Sequence, residues 1–330
     1  MRFPPAQERA GIWTAEAKLL PNRTTDSGSE AWDMPGAYPW GPGVEGCTGS
    51  AYPPAVESET RTDGGTRPAE FWIGEVDRDP ALQEELLRAV PDRPRYVRAR
   101  GLLLRGRCRV VLGPEGRRGA GFFIGDPERP GVCQAIHRPV AGLVAGLLHE
   151  CSTCLQILTD RENAEHFASL LPGWEPRPAT VHVHPNPTEV PAPDGDARLI
   201  EGAEFGDDEV LSEFAREERA DLEFAASRGP VATVWENDRI VSFCWAVYET
   251  ESWWDLDGAT APAHRRRGHG RSAAALLIAH LLKAGKRPVW SALDANEASR
   301  RMALTSGFRA VDRMIVLTPP EGFVRGPGCA

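Results

Sequence analysis

The sequence predicts an α/β (α+β) protein with a mixed central sheet flanked by helices, laid down as two tandem copies of one unit, the first degenerate. Three observations predict it. Apolar segments of strand period and helix period alternate from Phe71 to Leu317. Two series share the order strand, helix, strand, helix, Gly-aromatic, strand. In them Leu170-Leu171-Pro172-Gly173-Trp174 takes the slot of Leu304-Thr305-Ser306-Gly307-Phe308. Between the series lies a segment with four prolines, 185–196, which reads as a linker.

Element by element, residues 1–65 carry Pro, Gly, Ser, Thr and acids with no sustained period, and read as a disordered or extended segment. The first unit, 66–184, reads as a helix over 80–90, strands over 96–104, 108–112 and 119–124, and a helix over 139–149. A strand over 154–158, a helix over 161–171 and a strand over 179–184 complete it. The second unit, 197–330, reads as a strand over 198–201, a helix over 208–219 and strands over 231–235 and 239–248, joined by the turn Glu236-Asn237-Asp238. Then come a strand over 255–260, a helix over 271–283, a strand over 288–293, a helix over 297–305 and a strand over 310–317.

At 330 residues the chain has length for two domains. Its net charge of −9 argues against nucleic acid as a partner, because phosphate contacts need clustered cations. Its 7 cysteines are odd in number and scattered, unlike a disulfide framework, and Cys244 reads as a buried thiol. The longest apolar run, 140–148, is too short to span a bilayer. No secretion signal is evident, so a cytoplasmic setting and no membrane partner are expected.

The densest chemical signal is Arg265-Arg266-Arg267-Gly268-His269-Gly270, between the strand over 255–260 and an Ala/Leu-rich helix. Glycines let successive N–H groups point inward, and a helix N-terminus adds free donors and the positive end of its dipole. Strand, glycine loop and helix N-terminus together form a nest for a phosphate-bearing ligand. In the first series the slot is taken by Asp126-Pro127-Glu128-Arg129-Pro130-Gly131, where prolines remove donors and acids repel phosphate. Neither a Gly-x-Gly-x-x-Gly after a strand nor a Gly-x-x-x-x-Gly-Lys occurs, which excludes dinucleotide and P-loop readings.

With Arg265-x-x-Gly268-x-Gly270 after a strand, Trp290-Ser291 on the next, and Asn296-x-x-Ser299 with Gly307-Phe308 around the last helix, 197–318 resembles the GNAT superfamily of acyl-CoA-dependent N-acetyltransferases. The first unit looks like a degenerate copy. The resemblance implies acetyl-CoA as donor co-substrate and an amine acceptor, with the protein a monomer or homodimer. It places the CoA pyrophosphate on the amides of Arg266, Arg267, Gly268, His269, Gly270 and Arg271, with Arg265 adding charge. The pantetheine arm would pair along Ala259, Thr260 and Ala261, with Asn296 and Ser299 near it. Asn296 also reads as a helix N-cap.

Acyl transfer from a thioester to an amine needs a neutral amine, a stabilised carbonyl oxygen and a departing thiolate. Asp255 and Asp257 share a strand face by the period of two, and Glu249 and Glu251 are close in sequence. Asp255 is the base of choice. On the preceding strand Phe243, Trp245 and Val247 suit the core, while Ser242, Cys244, Ala246 and Tyr248 would face the cleft, with Tyr248 at its mouth. Where the family often carries a Tyr acid this chain has Ala303, so the thiolate proton falls to water, Ser299 or Tyr248. The alternative is a non-catalytic CoA-binding sensor or structural partner. No metal is expected: Cys151-x-x-Cys154 lacks a second pair, and His182 and His184 read as edge-strand residues.

Overall fold

The computed structural model describes residues 72–320, apart from 77–78, 114–120, 130, 151–154, 186–189, 191 and 203–209, together with 323. The segment 1–65 and the pair Cys151 and Cys154 lie outside the described residues.

The first unit runs β1 (Trp72–Glu75), α1 (Pro80–Ala89), α2 (Val97–Arg105), β2 (Arg109–Leu112), β3 (Phe122–Gly125) and β4 (Val132–Ile136). It continues with α3 (Ala141–Glu150), β5 (Gln156–Asp160), α4 (Ala164–Leu170) and β6 (Glu175–Val183). The second runs β7 (Asp196–Ile200), α5 (Arg216–Ala226), β8 (Val231–Glu236), β9 (Arg239–Glu249) and β10 (Trp253–Thr260), then α6 (His269–Lys283), β11 (Arg287–Leu293), α7 (Glu297–Thr305) and β12 (Arg309–Thr318).

All of these strands join one mixed 12-stranded sheet, in the order β1-β2-β3-β4-β5-β12-β6-β11-β10-β9-β8-β7. Exchanging each strand for its counterpart six places along the chain reverses this order onto itself, so the two units have one topology. Their last strands are exchanged. β12 lies between β5 and β6 of the first unit, and β6 lies between β11 and β12 of the second, antiparallel to both. Pairs β4–β5 and β10–β11 are the parallel ones.

Helices cover both faces. Along β2, Val110 and Leu112 pack with Leu102 of α2, while Val111 packs with Leu143 of α3. The first of these cores crosses the boundary between units, joining Leu86, Leu102 and Phe122 to Leu222, Phe243 and Trp245. Each such buried side chain contributes about 1.5–3 kcal/mol. Gly101 lets α2 lie on β9: a Cβ there would sit 2.9 Å from the carbonyl oxygen of Glu249.

Four expectations are corrected. The segment 96–104 is not a strand but α2, whose Ala, Leu and Arg are good helix formers and which ends on Gly106 at φ 74°. The strand β4 goes unread in the sequence because it is short and wholly buried, so it has no alternation to detect. The helix expected over 208–219 is α5, which starts later: the Glu218 carboxylate accepts the Ala215 N–H at 3.0 Å as half of a capping box. His182 and His184 are not on an edge strand, since β6 is interior and both rings are buried.

Candidate functional site

β10 and β11 pair in parallel through Trp253, Trp254 and Asp255, then part as β11 turns to β6. Beyond Asp255, β10 keeps β9 on one side and, among the described residues, has no strand on the other. That splayed edge runs into a short turn (Pro262–His264), an extended Arg265, Arg266 at φ 64° and Gly268 at φ 86°. Helix α6 begins at His269 with Gly268 as its N-cap, and the first helical acceptor is the Gly268 carbonyl, taken by Ser272 N–H at 3.0 Å. The amides before Ser272 therefore have no partner within the helix. A cavity of about 310 Å³ opens between this loop and α7, lined by Thr260, Gly268, Gly270, Ala298, Met302 and Thr305 among others. Nothing lies within 4 Å of where a Gly268 Cβ would be, so the loop is open at that residue.

Several arginine side chains of the loop are held by protein groups. Arg265 Nε donates to the Thr260 carbonyl at 3.1 Å, Arg267 to Glu236 at 3.2 Å and Arg271 to Asp194 at 3.2 Å. Arg265, Arg267 and Arg271 are thus tied to the loop and its neighbours. Asn296 caps α7, accepting the Ser299 N–H at 3.0 Å. Ser299 Oγ accepts from Trp290 Nε1 at 3.0 Å, and Ala303 is buried in the core under α6.

On the opposite face of the splay sit the acids. Glu251 pairs with Arg100 at 2.6 Å and Glu249 with Lys286, which leaves Asp255 and Asp257. Burial, and for Asp255 the neighbouring Asp257 charge, push both carboxyls up to about 7. Arg129 limits the rise. Its guanidinium is 3.0 Å from Asp221 and 3.8 Å from Asp257, stacked over the rings of Trp245 and Phe224. Asp257 also accepts the Gly258 N–H at 2.8 Å. A Cβ on Gly258 would meet the Phe243 carbonyl oxygen at 2.3 Å, so β10 can lie this close to β9 only with glycine there.

Tyr248 is not at the mouth. Asp255 faces Tyr248 while Leu256 faces Ala246, so Val247 is an extra residue and the bulge shifts Tyr248 onto the face of Trp245. There it is buried, donates its O–H to Asp126 at 3.0 Å, and lies under Arg98 at 5.0 Å from the ring centre. Burial raises its hydroxyl well above the usual phenol range. Cys244, on the other face, is a buried thiol that burial likewise pushes up.

The contribution of the first unit escapes the sequence reading. Residues 126–129 form the β3–β4 turn, one strand earlier than the nest, and they enter the second unit: Arg129 reaches Asp257, and Glu128 pairs with Arg228. The counterpart of the nest is 137–140, between β4 and α3. By register, Gln134 is the counterpart of Asp255, each the third residue of a parallel pairing before the strands part. Recognising β4 was the one signal that would have aligned the units.

Residues 218–317 match the family model described as GNAT acetyltransferase. No curated protein matches the chain. Among solved structures, a GCN5-related N-acetyltransferase-like protein from Streptococcus suis is 12% identical, with 72% of this chain and 97% of that chain covered and a TM-score of 0.51. An acetyltransferase from the GNAT family of Colwellia psychrerythraea is 12% identical, covering 76% and 99% with a TM-score of 0.49. A tandem GNAT protein from the clavulanic acid biosynthesis pathway is 13% identical, covering 77% and 99% with a TM-score of 0.49. At such identities the likeness is one of fold. The match of 218–317 to the GNAT acetyltransferase model, within a large mixed sheet flanked by helices, supports acetyl transfer as the class of chemistry. No helix among the described residues is long and apolar enough to cross a membrane.

Proposed function

Taking 218–317 as the GNAT acetyltransferase domain it matches, we propose that the chain transfers an acetyl group from acetyl-CoA to a primary amine of a small molecule or peptide. The observation that carries the reading is the splay of β10 from β11, with the glycine loop and the N-terminus of α6 at one end and two carboxyls near 7 at the other. The CoA pyrophosphate sits on the amides from Arg266 to Arg271, and the pantetheine arm takes the free edge of β10 through Ala259, Thr260 and Ala261. A β10 backbone N–H beyond Asp255 donates to the thioester oxygen as charge builds there.

Asp255 removes the proton of the amine as its nitrogen bonds to the thioester carbon and the C–S bond breaks. A carboxylate that titrates near neutrality suits this task, since it is ionised and still basic enough to accept a proton. The thiol is acidic enough to leave as thiolate and take its proton from water. Tyr248 and Ser299 are engaged elsewhere and are assigned no proton transfer. Arg129 is a positioning residue that tunes the Asp255–Asp257 pair from the first unit. We take the units as 66–184 and 197–330 joined by 185–196, whose last residue, Asp196, already opens β7.

The second reading, a CoA-binding protein without turnover, is favoured by Ala303 and the buried Tyr248. Free-thiol release from acetyl-CoA over a panel of amines decides between them. Release that needs both an amine and Asp255 supports transfer; calorimetric binding of acetyl-CoA with no release on any amine supports the second reading. Absence of acetyl-CoA binding by the folded chain sinks both.

A further inference from the structure

Behind the nest, on its β8–β9 side, two histidines converge on one carboxylate. His264 Nδ1 lies 2.8 Å from Glu236 Oε2. His269 Nε2 lies 3.0 Å from Glu236 Oε1. The ligating atoms of all three fall within 4.8 Å of one another, and each residue is partly buried. Two details set this group apart from an ordinary hydrogen-bond cluster. His264 uses both ring nitrogens on carboxylates, with Nε2 also 3.2 Å from Glu213 Oε2. A neutral imidazole has a single N–H, so one of those contacts sets lone pair against lone pair unless the ring carries a second proton or a cation intervenes. His269 Nε2 is buried and close to Glu236, yet it is not aligned for a hydrogen bond.

We propose that Glu236, His264 and His269 form a zinc site that staples the phosphate nest. Two imidazoles and one carboxylate are a zinc donor set that leaves a fourth position for water. Bonds of about 2.0–2.2 Å put tetrahedral ligand atoms ~3.3 Å apart; the two histidine–glutamate spacings, 2.8 and 3.0 Å, fall a few tenths of an ångström short of that, and the remaining pair lies within 4.8 Å. Glu213 completes the arrangement. It accepts from His264 Nε2, which fixes the tautomer with Nδ1 free for the ion, and is itself held by Arg239 at 3.0 Å. Arg267, 3.2 Å from Glu236, is more than half exposed and free to swing away from the incoming charge.

The placement gives the ion a task. His264 and His269 flank Arg265, Arg266, Arg267 and Gly268, so binding both closes that loop, and Glu236 ties it to the β8–β9 turn. The ion fixes the amides in place and adds positive charge beside them. The site itself stands whether or not the nest takes CoA. The sequence reading expected no metal because it weighed Cys151-x-x-Cys154 and His182 with His184, whereas this cluster joins two histidines of one loop to a glutamate of a distant turn.

The test is calorimetric titration of the chelator-treated full chain with Zn²⁺, alongside Co²⁺ as a visible-absorption probe. The expected result is about one equivalent bound and the intense d–d absorption of tetrahedral cobalt. His264→Ala and His269→Ala lower Zn²⁺ affinity at least ~100-fold, and Glu213→Gln lowers it ~10–100-fold. His280→Ala, on α6 outside the cluster, leaves it unchanged. Circular dichroism confirms that each variant is folded. If folded wild type binds no stoichiometric zinc, a protonated His264 explains the cluster and the proposal falls. It also falls if zinc affinity survives the double histidine substitution.

Discussion

The two links from fourth strand to following helix, 137–140 in the first unit and 261–268 in the second, start from the same topology and end differently. The first is short and filled. His137 at φ 56° turns the chain, Asn163 donates to the His137 carbonyl at 2.7 Å, and Pro139 packs so close that a Cβ on Gly121 would meet its nitrogen at 2.2 Å. Gln134, in the place of Asp255, accepts from the Ala99 N–H at 3.2 Å and donates to the Arg95 carbonyl at 2.8 Å. In the second unit the link is twice as long, its glycine points into open space, and its carboxylate stays titratable. One frame becomes a support where the link and the Gln134 amide are satisfied from within, and in the other the loop borders a cavity.

The sharpest way to break this contrast is Asp255→Asn, which gives the second unit the neutral amide of the first. Turnover is expected to fall ~10²–10⁴-fold. In wild type kcat/KM falls as pH drops through about 7, an apparent value that belongs to the Asp255–Asp257 pair. The sign for stability is opposite. A carboxyl raised on folding contributes stability below its unfolded value of 3.8, and that contribution is lost as pH rises through about 7. Asp255→Asn is therefore expected to raise the Tm at pH 8 and to change it least at pH 4.

Next comes Arg129→Met, which removes what the first unit lends to the second. It leaves Asp221 and Asp257 without their buried partner, for an expected loss of ~3–5 kcal/mol in urea unfolding. Because Arg129 holds the acids down, the acid limb of the pH–rate profile should also move to higher pH. If neither changes, the first unit is a neighbour and not part of the site.

Gly268→Asp tests the nest. It sets a residue with a Cβ at φ 86° and a negative charge beside the free amides. Acetyl-CoA affinity is expected to drop ~100-fold, about 3 kcal/mol, by calorimetry. The smallest effect is expected of Gln134→Leu in the first unit. It strands the Ala99 N–H and the Arg95 carbonyl for ~1–3 kcal/mol of unfolding free energy, while acetyl-CoA affinity holds.

The nest was legible because its chemistry is local: glycines, a strand before and a helix after are all within a dozen residues. The strand exchange beside it was not, because β6 leaves the first unit to pair with β11. Tyr248 was misplaced because a single bulge residue, Val247, breaks the alternation that assigns faces. Arg129 was read as part of a loop hostile to phosphate, although its partners, Asp221 and Asp257, are about a hundred residues away.

By itself, then, the sequence determined the alternation of strands and helices, the shared order of two units and the place of the glycine loop before α6. Each of these is written in periods and turns that neighbouring residues enforce. Tertiary structure alone decided that the units exchange their last strands and that an arginine of one tunes the carboxylates of the other. It also gathered Glu236, His264 and His269 into a single cluster. Those features rest on contacts between distant segments, fixed by sheet pairing and shared burial, on which local pattern is silent.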